Sequence, residues 1–139
     1  MSRNGDQPMT GPLRVDWDAL RSRAVAAAGA AYCPYSHLRV GAAALVDDGR
    51  IITGCNVENA SYGLGLCAEC TLVGQLRLTG GGRLVALACR SGAGDLLMPC
   101  GRCRQVLLEH GGTGRQLARR ARGRERENRP EKRFVERGR

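Results

Sequence analysis

The sequence predicts an α/β fold built on a mixed sheet, and three observations lead there. Two short apolar runs, Leu38 to Val46 and Arg50 to Val57, flank the turn Asp47-Asp48-Gly49. A three-residue loop ending in Gly fits an antiparallel hairpin, because Gly accepts the positive φ that such loops need. The order strand, helix, strand from Ile51 to Ala88 suggests a parallel pair joined by a right-handed crossover. Hydrophobic residues form 42% of the chain but aromatics only 4%, so the core must be built mainly from Ala, Val, Leu and Ile. At 139 residues the chain has the length of one domain with a modest core.

Residues 1–15 hold Gly5, Pro8, Gly11 and Pro12 among polar residues and are expected to form a flexible arm. Asp16 then precedes Trp17, Leu20, Ala24, Ala27 and Ala31, whose spacing of three and four makes one helical face with Asp16 as N-cap. Pro34 stops that helix. In the hairpin, Gly41 and Gly54 weaken the strand reading slightly. Asn56 to Tyr62 is a polar segment, and Gly63 and Gly65 keep the backbone flexible up to Leu66. From Cys67 a second helix carries Leu72, Val73 and Leu76 and ends at Gly80-Gly81-Gly82. Leu84 to Cys89 reads as a buried strand. Pro99 opens a third helix, with Cys103, Val106, Leu107 and His110 near one face and Gly111 as its stop.

The formal charge of +9 invites a nucleic-acid reading, but it is unevenly placed. Residues 1–112 carry 11 Arg and 9 acidic groups, whereas residues 113–139 carry 10 Arg, 1 Lys and 4 acidic groups. The body is close to neutral, which argues against a polymer-binding groove, and the basic character belongs to the tail. That tail contains Leu117, Phe134 and Val135 but no apolar period, so it is expected to stay solvated without a fold of its own. Seven cysteines cannot all pair within one chain. No signal-peptide pattern and no apolar stretch of membrane-spanning length is present, so reduced thiols in a cytoplasmic protein are expected.

Clustered reduced thiols suggest metal or catalysis. Cys67-Ala68-Glu69-Cys70 and Pro99-Cys100-Gly101-Arg102-Cys103 each stand at a predicted helix start. Cys100 and Cys103, three apart, can aim both sulfurs at one ion from a first helical turn. The unpaired N–H groups and dipole of that terminus favour thiolate. Glu69 can lie beside the ion without ligating it and exchange protons. A closed four-cysteine structural zinc site is the plain alternative, since both segments contain C-x-x-C. Against it stand Glu69, which a structural site does not require, and Pro99, which completes the pattern C-x-E…P-C-x-x-C of zinc deaminases. Cys33, Cys55 and Cys89 read as small buried hydrophobes.

The chain resembles the small, zinc-dependent, homotetrameric cytidine deaminases of pyrimidine nucleoside salvage. The likeness runs through Tyr35-Ser36-His37-Leu38-Arg39-Val40-Gly41-Ala42-Ala43, Gly54-Cys55-Asn56-Val57-Glu58-Asn59-Ala60-Ser61-Tyr62, Cys67-Ala68-Glu69 and Met98-Pro99-Cys100-Gly101-Arg102-Cys103-Arg104-Gln105. It covers residues 16–112 and implies an α/β/α three-layer sandwich. It further implies one Zn2+ on Cys67, Cys100 and Cys103, and Glu69 as proton shuttle. Hydroxide on the zinc would add at C4 of cytidine or deoxycytidine, and ammonia would leave. Asn56 and Glu58 match residues that bind the ribose, with Glu58 suited to the 3′-hydroxyl. The Ala68 backbone would meet the base, and Tyr62 matches an aromatic offered across a subunit boundary. Without the resemblance, Asn56 and Glu58 read as strand-end turn residues and Tyr62 as a half-buried ring. Cys70 becomes a non-ligand, standing where the family usually has Arg. Arg104 matches an arginine that offsets the charge of the thiolates.

Two departures qualify the likeness. Leu38 replaces a usual Phe and keeps an apolar wall while giving up the stacking face. From Thr113 the family's further strands and its Leu-Leu-Pro…Phe type ending have no match, so C-terminal strands would be missing. A reading-frame change or artificial terminus would produce such a switch; a genuine basic extension is the alternative. Three functions follow: an active tetrameric nucleoside deaminase; a zinc-binding but impaired homologue; and a nucleic-acid-binding protein with a structural zinc, acting through its tail.

Overall fold

Strand β1 (Val40–Val46) is the middle of a three-stranded sheet, between β2 (Ile51–Cys55) and β3 (Leu84–Ser91). The computed structural model describes residues 13–111, so the expectations for most of the N-terminal arm and for the tail lie outside the described residues. Ala and Val dominate β1, and six of its seven residues are buried. A strand of small apolar residues is stable only when both of its faces are covered. Helix α1 (Trp17–Ala28) covers one face, where Leu20 and Ala24 pack on Ala43, Leu45, Ala86 and Ala88. Helices α2 (Ala68–Leu78) and α3 (Gly101–Gly111) cover the other, where Leu72, Leu76 and Leu107 join Ala42, Ala44, Val46, Ile52 and Leu87. The α/β/α layering is therefore present.

The expected pairing of β2 with β3 is corrected. The two run in the same direction, each antiparallel to β1, but β1 lies between them. The hairpin closes one edge of β1, and β3 fills the other, which buries β1 on every side. All pairings of the described strands are antiparallel, and an isolated parallel bridge joins Tyr32 to Val57. A register shift opposes Leu45 to Ala86 and Val46 to Leu84, leaving Val85 as the extra residue of a bulge. It turns Leu84 to the face of Leu87 and Cys89, away from that of Ala86 and Ala88.

Local chemistry sets the boundaries. The Ala19 N–H donates to Asp16 Oδ1 at 3.0 Å, which is the predicted N-cap. Helix α1 stops at Ala28 rather than at Pro34. Tight turn bonds, including Ala31 N–H to the Ala28 carbonyl at 3.1 Å, bend the chain out, and Tyr32 N–H then bonds the Asn56 carbonyl. Gly49, with φ of 93°, closes the hairpin loop as expected.

Gly41 and Gly54, read from sequence as weak points, are where the helices touch the sheet. A Cβ on Gly41 would lie 1.8 Å from the Ala24 carbonyl oxygen, and one on Gly54 would lie 2.3 Å from that of Ala68. Only a hydrogen in each place lets α1 and the start of α2 approach so closely.

Candidate metal centre and proton-transfer site

The site is assembled where the starts of α2 and α3 meet over the end of β2. Cys67 is the N-cap residue of α2, and Thr71, one turn on, locks that helix to the strand. The Thr71 hydroxyl donates to the Cys55 carbonyl at 2.8 Å and accepts the Cys55 N–H at 3.0 Å. Together with the close approach at Gly54, this places Cys67 and Glu69 at a defined height above the sheet.

Cys100 precedes α3 and Cys103 lies in its first turn. The sulfurs of Cys67, Cys100 and Cys103 all lie within 4.8 Å of one another, and Cys67 Sγ is 3.7 Å from Cys100 Sγ. Zinc–sulfur bonds of about 2.3 Å in a tetrahedron demand sulfur spacings of about 3.8 Å. Three soft ligands at such spacings fit Zn2+, and three rather than four leave a coordination position open.

Electrostatics differs among the three. Backbone N–H of Cys103 lowers the Cys100 thiol, with further help from the neighbouring thiols and the Arg102 N–H. That is the thiolate-favouring effect expected of a helix start. Burial raises Cys67. Cys103, fully buried, is pushed well up by burial and then by the Glu69 carboxylate. A divalent cation must displace these protons, so its affinity rises with pH.

Glu69 is 5% exposed on the first turn of α2, and its Oε1 accepts the Cys89 S–H at 3.1 Å. Cys89 is thus not the inert hydrophobe its sequence setting suggests. Ala68 is fully buried beside Glu69.

The other candidate residues gather around a different segment. Asn56 Oδ1 accepts the Val40 N–H and its Nδ2 donates to the Leu38 carbonyl, each at 2.8 Å. Glu58 Oε1 accepts the N–H groups of Tyr35 and Ser36, each at 3.1 Å. Hydrogen bonds from Ser36, side chain first, hold the Glu58 carboxyl below its usual range. Both polar side chains therefore fasten residues 35–40, and Leu38, half exposed, sits in that fastened loop. Tyr62 stands apart in a short 3-10 turn (Tyr62–Leu64) with its side chain fully in solvent, not half buried.

Arg102 was not singled out by sequence. Its Nη2 donates to the Gly65 carbonyl at 2.8 Å and lies 3.9 Å from Cys67 Sγ, which brings a positive charge to the thiols. Its place between Cys100 and Cys103 was the available signal. Arg104 Nε donates to the Pro99 carbonyl at 3.2 Å and braces the approach to Cys100.

Residues 16–116 match the family described as the cytidine and deoxycytidylate deaminase zinc-binding region. This chain belongs to that family. It is 71% identical over 99 residues to a cytidine deaminase of Mycobacterium tuberculosis, covering 71% of this chain and 74% of the relative. The solved cytidine deaminase of the same organism superposes with a TM-score of 0.75 at 66% identity, over 76% of this chain and 86% of that one. The Mycobacterium leprae enzyme gives 0.73 at 60% identity, over 75% and 87%. The deaminase-family zinc region and the three-thiol cluster together give the chain one Zn2+.

Within this deaminase domain, Cys70 stands next to the three-thiol group. Its sulfur lies 3.8 Å from Cys103 Sγ but falls outside the group of mutually close ligand atoms. A thiol there can donate to the Cys103 sulfur without binding the ion. Cys70→Ser is expected to retain one zinc per chain after exhaustive dialysis, measured by atomic absorption. A stoichiometry near zero would make Cys70 a ligand and the site a closed structural one.

Proposed function

We infer that this chain catalyses the hydrolytic deamination of cytidine and deoxycytidine to uridine and deoxyuridine, releasing ammonia. The observation that carries this reading is an open three-thiol cluster with a buried carboxylate, Glu69, two residues from Cys67 and pressing electrostatically on Cys103. Zinc, when held by Cys67, Cys100 and Cys103, supplies a Lewis acid that makes water nucleophilic at neutral pH.

Glu69 takes a proton from the attacking water and delivers it to N3 of the cytosine ring. It then carries the second proton to the amine at C4, which leaves as ammonia while the ring keeps the oxygen. One water is consumed and one ammonia released, so the carboxylate is regenerated. Its 5% exposure keeps bulk water from competing for the proton. The Ala68 backbone at the start of α2 meets the polar edge of the base. Asn56 and Glu58, already holding residues 35–40, present their remaining polar capacity to the ribose, and Leu38 forms an apolar wall. Arg102 beside Cys67, with Arg104 bracing Pro99, offsets the formal −1 of three thiolates on a divalent ion.

The subunit count follows the same reading. Tyr62, Leu64, Leu38 and Met98 are exposed apolar side chains, which supports a homotetramer in which Tyr62 enters a neighbour's site. No helix among the described residues is long and apolar enough to cross a membrane. All seven cysteines are free, which supports a reducing, cytoplasmic setting. Residues 16–112 form the deaminase unit, with the N-terminal arm and the Arg-rich tail outside it.

Zinc-loaded full-length protein incubated with cytidine is expected to release one ammonia for each cytosine chromophore lost. Absence of turnover in protein holding one zinc per chain would overturn the assignment.

A further inference from the structure

Cys89 lies on β3, beside the central strand β1, outside both metal-binding segments, and no part of the deamination scheme uses it. It is 3% exposed, on the same sheet face as α2, and its sulfur is 3.1 Å from Glu69 Oε1. Two features make this contact more than coincidental packing. Cys89 is held on both sides by backbone: it pairs with Ala42 of β1, and its carbonyl accepts the Leu97 N–H at 3.3 Å. A buried carboxylate also needs donors, because each unpaired lone pair is costly away from water. Every buried side-chain nitrogen and oxygen among the described residues has a partner, and for Glu69 the donating side chain is Cys89.

We propose that Cys89 is a positioning residue for Glu69: its buried S–H holds one carboxylate oxygen and leaves the other to exchange protons with water and substrate. The inference rests on the deaminase reading for its catalytic meaning, while the contact itself does not. Burial, and then the charge of Glu69, push the Cys89 thiol far up, so it remains a donor. A helix start alone fixes the Cα of Glu69, but a side chain with three rotatable bonds sweeps a wide arc. One hydrogen bond from a rigid strand removes most of that freedom. Serine can serve in place of cysteine, since its hydroxyl donates along the same direction, whereas alanine cannot.

The test uses full-length, zinc-loaded Cys89→Ala and Cys89→Ser with cytidine. Cys89→Ala is expected to lower kcat about threefold to tenfold with KM within about twofold of the parent, and to keep one zinc per chain. Cys89→Ser is expected to recover most of the loss. Unchanged kcat in Cys89→Ala, or equal loss in both variants, overturns the proposal, since packing alone would then explain the site. An infrared measurement reads the contact without turnover. In the S–H stretching region, the difference between the parent protein and Glu69→Gln is expected to show one thiol band moving to higher frequency, as a neutral amide replaces the carboxylate acceptor. A flat difference spectrum overturns the proposal even where a variant folds poorly. A parent protein without deaminase activity that still shows the shift would instead sink the functional reading alone.

Discussion

Glu69→Gln is expected to lower kcat for cytidine about 10²–10⁴-fold, the range that a positioned acid/base supplies. The amide keeps the size of the carboxylate and can still accept the Cys89 S–H, so fold and zinc content are expected to remain. What is lost is the capacity to take a proton from water and return it, twice in each turnover. The effect should therefore fall on kcat with little change in KM. Steady-state kinetics beside metal analysis on the same preparation check this. A loss smaller than about tenfold would remove Glu69 from the proton-transfer role, since general acid/base catalysis contributes at least that much.

The second large effect concerns the metal. Cys103→Ala removes a proposed ligand that is fully buried on the first turn of α3. Even the outer partners of metal ligands are worth about 10–100-fold in affinity, so loss of a ligand is expected to cost more than about 100-fold. Dialysis against a moderate chelator should then strip the variant while the parent retains one zinc per chain. The apparent thermal stability should fall with the metal, because an ion bound only by the folded chain stabilises it by mass action. Retention of full zinc by Cys103→Ala would mean that the cluster is not the binding site. Cys70→Ser serves as the comparison, since it removes a sulfur only 3.8 Å from Cys103 Sγ that lies outside the three-thiol group.

Much of this architecture was legible before folding is considered. Asp16 caps α1 because a short carboxylate ahead of an apolar face of period three and four has few other uses. Gly49 closes the hairpin because the loop needs a positive φ. Both are local matters, decided within a few residues. The partner of β3 was not legible, because strand adjacency is a long-range choice. Periodicity names which residues seek burial but not which strand supplies it. The glycines show the same limit from the other side. Propensity marks Gly41 and Gly54 as defects, and only the approach of α1 and α2 reveals that any larger side chain would collide with helix backbone.

The candidate site divides along the same line. Spacing marks Cys67, Cys70, Cys100 and Cys103 as thiols at two helix starts, with Glu69 between the first pair, and the family resemblance implies which three of them hold the ion. Polar residues after a strand, such as Asn56 and Glu58, do not declare what they bind. The structure ties both to the backbone of residues 35–40, a loop far from them in sequence. Arg102 and Cys89 illustrate two grades of hidden information. Arg102 shares a helical turn with two ligands, so a helix drawn through Pro99 to Cys103 would have placed it near them. Cys89 had no such signal.

The sequence by itself determined that thiols and a carboxylate cluster at two helix starts, because residue type and helical spacing are properties of short segments. It also determined that β1 is a buried strand of small residues, because none of its side chains is suited to solvent. Only the tertiary structure decided that β1 separates β2 from β3, that Gly54 and Thr71 set the height of Glu69, and that Cys89 meets its carboxylate. Those outcomes depend on which buried surfaces meet, and contacts between residues distant along the chain are chosen by the packing of the whole.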